Sequence, residues 1–148
     1  GGGGGGGTGD GKATVYSIPG SVDVAVSQSF TVDLYIHTTD EAQAFEFDVA
    51  MDPARMVPVS VVPHPDFDDD SQWFVPPTID AGQGTIRGIV DVRHGAPAAT
   101  GVFQVATVTI QATNPGSGVV QFQNGGIADP NGDDLTLTIF ATLVNVTP

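Results

Sequence analysis

The sequence predicts an all-β chain folded as an antiparallel sandwich, and three observations carry that expectation. Apolar and polar residues alternate with a period of two in stretch after stretch. Each stretch is short and ends in Gly, Pro, Asn or Asp. The composition is rich in Thr, Val and Gly, with fifteen Asp against two Glu, which suits strands and turns better than helices. The 148 residues make one domain of ordinary size, and a chain of about 150 residues buries roughly 70% of its unfolded surface.

Taken in order, residues 1–12 (GGGGGGGTGDGK) are a low-complexity Gly-rich segment, a linker or an assembly strand by composition. Residues 13–148 are the sandwich domain. ATVYSIPG is a short strand closed by the turn pair Pro19-Gly20. In QSFTVDLYIHT, Phe30, Val32, Leu34 and Ile36 take one face, and Thr31, Asp33, Tyr35 and His37 the other. AFEFDVAMDP turns Phe45, Phe47, Val49 and Met51 inward and Glu46 and Asp48 outward, and Pro53 stops it because proline cannot donate to a ladder. MVPVSVV is a further strand in which Pro58 marks an edge or a bulge. Residues 63–83 form a long irregular excursion that holds an Asp cluster and the only Trp; such loops are commonly functional. Strands resume at GTIRGIVDVRHG, GVFQVATVTIQATN, GVVQFQNGG and DDLTLTIFATLVNV. Only DEAQ and DPARM could make a helical turn.

Seventeen acidic residues face four basic ones, Lys12, Arg55, Arg87 and Arg93, for a net charge of −13. That surface repels phosphate backbones and anionic membranes. There is no cysteine, which excludes a disulfide framework, a thiolate metal site and a cysteine nucleophile. No apolar run approaches the roughly 18 residues of a spanning helix. A glycine tract is expected just after a lipobox cysteine or a processing site, so the chain reads as a mature or trimmed form of a secreted protein.

The order of motifs resembles a cohesin domain. VAVSQSFTVDLYI followed by AFEFDVAMDPARMVPVSV is similar to the family's opening: a valine-rich lead, a Gly-Asp-x-Phe-x-Val-x-Val strand, and a strand ending in Asp-Pro. Here Ser27-Gln28 stands for the Gly-Asp, and Met51 where Tyr is common. GVFQVATVTIQAT and GSGVVQFQNGGIADPNGDDLTLTIFATLVNV resemble the family's later strands, the last pair around a D-x-N-G turn. The resemblance spans roughly Val15 to Val146. It implies a jelly-roll sandwich of about nine strands, related to certain carbohydrate-binding modules. It also implies a non-catalytic extracellular or cell-surface assembly module whose partner is a dockerin-like module. No dockerin-binding residue carries over, because that face has no strict motif.

Two acidic clusters invite Ca²⁺. In DPNGDD, Asp129, Asn131 and Asp133 fall at the first, third and fifth positions of a Ca²⁺ loop. Asp134 then stands where Gly is needed, and Phe140 where a bidentate Glu is needed. The alternative is a hairpin turn built on Asn131-Gly132. In HPDFDDDSQW, Asp68, Asp69 and Asp70, with Asp66, repel one another and would welcome a cation; the alternative is a solvated loop. Beside them, Trp73 and Phe74 are candidate anchors for a partner or for sugar rings, or else plugs for one end of the sandwich. His37, His64 and His94 show no ligand spacing. Asp48 with Asp52, or Asp80 with Asp91, could be imagined as a glycosidase pair, as any Asp-rich chain allows. Asn145-Val146-Thr147 matches a glycosylation acceptor.

The expected function is therefore assembly. A sheet face binds a separate protein, or Gly1, Gly2, Gly3, Gly4, Gly5, Gly6 and Gly7 bind the next copy of the chain through their backbone and build a surface fibre. The alternative is a carbohydrate-binding module using Trp73, Phe74, Tyr16 and Tyr35. With only 11 aromatic residues, several of them inward, a sugar platform ranks second, and a hydrolase third.

Overall fold

A computed structural model of the chain describes residues 11–68, 72–93 and 97–148. These hold eleven strands and no helix: β1 (Lys12–Ile18), β2 (Ser21–Ala25), β3 (Ser29–Ala42), β4 (Ala44–Met51), β5 (Met56–Pro63), β6 (Thr78–Asp80), β7 (Thr85–Val92), β8 (Ala99–Ala112), β9 (Gly116–Ala128), β10 (Thr136–Phe140) and β11 (Thr142–Thr147). They form two sheets in a sandwich. One has five strands in the order β10-β1-β3-β8-β5, the other six in the order β2-β11-β9-β4-β7-β6.

The alternation read from the sequence fills the space between the sheets. Val32, Leu34 and Ile36 of β3 and Phe45, Phe47, Val49 and Met51 of β4 are all buried. They meet Val105, Val108 and Ile110 of β8 and Ile86 and Ile89 of β7 in one core. Pro58 proves to be both things expected of it. β5 is an edge strand, and its register breaks between Pro58 and Ser60.

Two expectations are corrected. DEAQ is extended: Asp40, Glu41 and Ala42 finish β3, and Gln43 N–H continues the pairing to Ala128 O. The sandwich is also not wholly antiparallel, because β1 runs parallel to β10 and β2 parallel to β11. The cause is a pair of sheet-switching strands. β1 passes into β2 through Pro19-Gly20, and β10 into β11 through Ala141, so two neighbouring segments leave the five-stranded sheet together and enter the other together. What reads as one final strand is thus two, one reason for eleven strands where about nine were expected. DPARM does turn: Met56 N–H and Arg55 N–H both donate to Asp52 O.

The switch is fastened inside. Thr142 is fully buried. Its hydroxyl donates to Pro19 O at 2.7 Å and accepts from Ser17 Oγ at 2.5 Å. Leu143 N–H donates to Gly20 O at 2.9 Å. Buried hydroxyls need partners, and here each supplies the other's.

Candidate interaction surfaces

The irregular stretch after β5 folds back on the sandwich. Phe67, 1% exposed, drives its ring between Phe45 and Phe103, edge-on to both, with centroids 5.0 and 5.4 Å away. Arg93 covers it: its guanidinium lies 5.7 Å from the ring centroid, and Nη1 donates to Phe67 O at 2.8 Å. A second bond from Nε to Pro97 O, at 2.7 Å, ties the two loops at this end. Phe67 is therefore the plug, a role the sequence reading offered to Trp73 and Phe74. Trp73 packs partly buried against the core, while Phe74 is 50% exposed. Asp68 is half-buried; Asp69, Asp70 and His94, like Gly1 to Gly7, lie outside the described residues.

The turn at Asp129 is closed by its own carboxylate. Asp129 Oδ1 accepts from Asn131 N–H at 2.8 Å and from Asp133 N–H at 2.9 Å. Gly132 takes a φ of +85°, which a glycine adopts without steric cost. Among the described residues no three His, Asp or Glu side chains converge as a cation cage requires. The imagined acid pairs are engaged elsewhere. Asp52 Oδ1 accepts from Ala54 N–H, and Asp80 Oδ1 from Gln83 N–H. Asp91 is buried and accepts from Val92 N–H.

The outer faces of the two sheets differ in what covers them. On the five-stranded sheet, large side chains cover the centre and bind each other. Tyr16 and Tyr35 are cross-strand partners whose rings are 8° from parallel with centroids 5.3 Å apart. At that distance near-parallel rings are offset-stacked on one another. Tyr35 O–H donates to Gln104 Oε1, Gln104 Nε2 to Thr107 Oγ1, and Thr107 O–H to Asp33 Oδ1. Burial, followed by the nearby Asp33 carboxylate, raises the Tyr35 phenol above its ordinary pKa.

On the six-stranded sheet the corresponding centre sets small residues, Ala44, Gly126 and Ala128, beside Glu46 and Val90. Gly126, Glu46 and Val90 lie in one row across β9, β4 and β7, and Val75 bridges to Val90 beyond them. In the adjoining row stand Ala128 and Ala44. The result is an open depression of about 420 Å³, floored by Ala44, Gly126 and Ala128 and walled by Glu46, Val90 and Asp134. Exposed Phe74 precedes Val75 at the rim of this sheet.

Two bulges shape the depression, and Asp48 fixes both. The register of β4 slips against β9 between Glu46 and Asp48, and against β7 between Phe47 and Val49. Asp48 Oδ1 accepts from Gly88 N–H at 3.0 Å, and Oδ2 from Asn124 Nδ2 at 3.2 Å. At the two bulges, Gly88 of β7 and Asn124 of β9 both take a positive φ, +77° and +52°. Gly125 beside them admits no side chain, because a Cβ there would overlap Glu46 O and Phe47 Cα.

No protein-family model and no curated protein matches this sequence. Solved structures match its fold. A type I cohesin–dockerin complex from Clostridium thermocellum gives a TM-score of 0.74 at 13% identity, over 95% of this chain and 97% of that one. A non-cellulosomal cohesin from the archaeon Archaeoglobus fulgidus gives 0.70 at 14% identity, over 93% and 92%. The cohesin module of a family 33 glycoside hydrolase from Clostridium perfringens gives 0.66 at 15% identity, over 93% and 98%. The resemblance read from the strand pattern is borne out at the level of fold: this chain has the architecture of a cohesin module.

Proposed function

We propose that the chain is a non-catalytic protein-binding module that takes a dockerin-like partner on the outer face of β9, β4, β7 and β6. The carrying observation is the depression floored by small residues on that sheet, in a fold shared with cohesins solved in complex with dockerins. Small residues let a partner helix approach the main chain closely. The Glu46 and Asp134 walls favour basic side chains on that helix. Phe74 at the rim is an exposed aromatic anchor of the kind that dominates interface energetics. Such a module belongs on a secreted or surface-anchored protein. Assembly through Gly1 to Gly7 is a separate arm, read by electron microscopy of the intact chain for filaments.

The test is calorimetric titration of the full chain with dockerin modules encoded by its own source. One-to-one binding is expected. Gly126→Arg, which fills the depression, is expected to abolish it, and Phe74→Ala to weaken it by roughly ten- to thirtyfold. Binding that survives Gly126→Arg would place the partner elsewhere. Absence of binding to every such module would remove the reading.

A further inference from the structure

An exposed sheet edge presents unpaired N–H and C=O groups, and proteins blunt such edges with charge, proline, bulges or shortness. Three of the four edges here are blunted. β5 carries Pro58, Pro63 and a register break. β6 is three residues long, and β2 carries Asp23. β10 has none of these devices. It reads Thr-Leu-Thr-Ile-Phe and keeps an unbroken register against β1.

Its backbone offers a defined set of bonds. Thr136 N–H donates to Gly11 O at 2.8 Å, toward the β1 side. Main-chain groups alternate sides along a strand, so the N–H and C=O of Leu137 and Ile139 point away from β1. Among the described residues no strand lies beyond β10. Ile139 is 45% exposed and Phe140 58%, although Ile139 lies across from Val15 of the core.

We propose that this edge pairs antiparallel with β10 of a second copy of the chain, joining two five-stranded sheets across a two-fold axis at Thr138. Leu137 of one copy then exchanges N–H···O bonds with Ile139 of the other, and the same occurs on the far side of the axis. The two Thr138 side chains face each other, and the exposed flank of Ile139 is covered by Leu137 of the second copy.

A second copy is the favoured occupant because the strand is its own complement. An isologous pair sets Leu137 against Ile139 and Ile139 against Leu137, and only Thr138, on the axis, against its own kind. That costs nothing where the strand is uncharged, and would be destabilising if a charge stood at the axis. Asp133 and Asp134 precede β10 at one end only, so the two-fold sends the two acidic ends to opposite ends of the seam. The remaining repulsion between two −13 chains is long-range and yields to salt. An edge contact is small, so the dimer is a weak one. It leaves the depression on the other sheet open in both copies and presents two docking faces.

The test is sedimentation velocity of the full chain across a wide concentration series, in roughly 0.1 M and 1 M NaCl. A reversible dimer is expected, tighter at high salt. Ile139→Lys is expected to weaken it at least tenfold, and Thr138→Lys, which opposes two ammonium groups at the axis, reads the same seam should the first variant fold poorly. Val62→Lys, on the exposed β5 edge, is expected to leave the dimer unchanged. A monomer under every condition, a dimer indifferent to both seam variants, or one lost only with Val62→Lys overturns the proposal.

Discussion

Asp48 shows how one carboxylate can set the shape of a surface. It faces outward from β4, yet both oxygens are engaged, one by the main chain of β7 and one by the side chain of Asn124 in β9. Asp48→Ala leaves the Gly88 N–H without its acceptor and loosens both bulges, so a loss of about 1–3 kcal/mol is expected in chemical denaturation. Thr142→Val keeps the shape of a fully buried side chain but strips Pro19 O and Ser17 of their partner. A similar loss, about 1–3 kcal/mol, is expected. Tyr35 gives a pH-dependent check. Its phenol is held neutral past the ordinary value, so its contribution to stability is complete below about pH 10 and is lost as pH rises through the folded-state pKa. Ultraviolet titration of a Tyr16→Phe variant, with Tyr35 as the sole phenol, is expected to show a midpoint above that of the denatured chain. A midpoint at or below it would remove the half-buried, Asp33-facing environment. None of these three roles was legible beforehand, because each depends on strands brought together from distant parts of the chain.

At the scale of elements, legibility followed the period of two. β3 and β4 could be assigned face by face because their inner residues are large and their outer ones polar, and one-sided burial fixes register. The last stretch could not be divided, since DDLTLTIFATLVNV alternates without a glycine or proline to mark the switch at Ala141. DEAQ looked like a helical turn from local preference, and pairing with β8 and β9 overrode it. In the loop after β5, proline and Asp density disclosed irregularity but drew the eye to Trp73 and Phe74. Phe67, flanked by acids, gave no sign of being a core residue. Phe67→Ala is expected to cost about 3–5 kcal/mol, read as a lowered denaturation midpoint, because it empties the contact between Phe45, Phe103 and Arg93. A loss under 1 kcal/mol would mean that this end of the sandwich closes without it.

Across the whole molecule, a charge of −13 on a domain this small opposes compaction, so the melting temperature is expected to rise with added NaCl as the repulsion is screened. The same charge steers encounters toward basic partners. Composition and strand order were enough to reach the sandwich and its likeness to cohesins. They could not disclose which sheet carries the depression, since that depends on bulges aligning Ala44, Gly126 and Ala128 across two strands. The two sheets differ outside: one carries a self-bonded outer layer and an unguarded edge, the other an open depression floored by Ala44, Gly126 and Ala128. Hydrogen–deuterium exchange of the chain with and without the dockerin module proposed to bind it is the sharpest test of that difference. Added protection is expected in β4, β7 and β9 around the depression, with β3 and β8 unchanged. Protection centred on β3 and β8, or none anywhere, would contradict it.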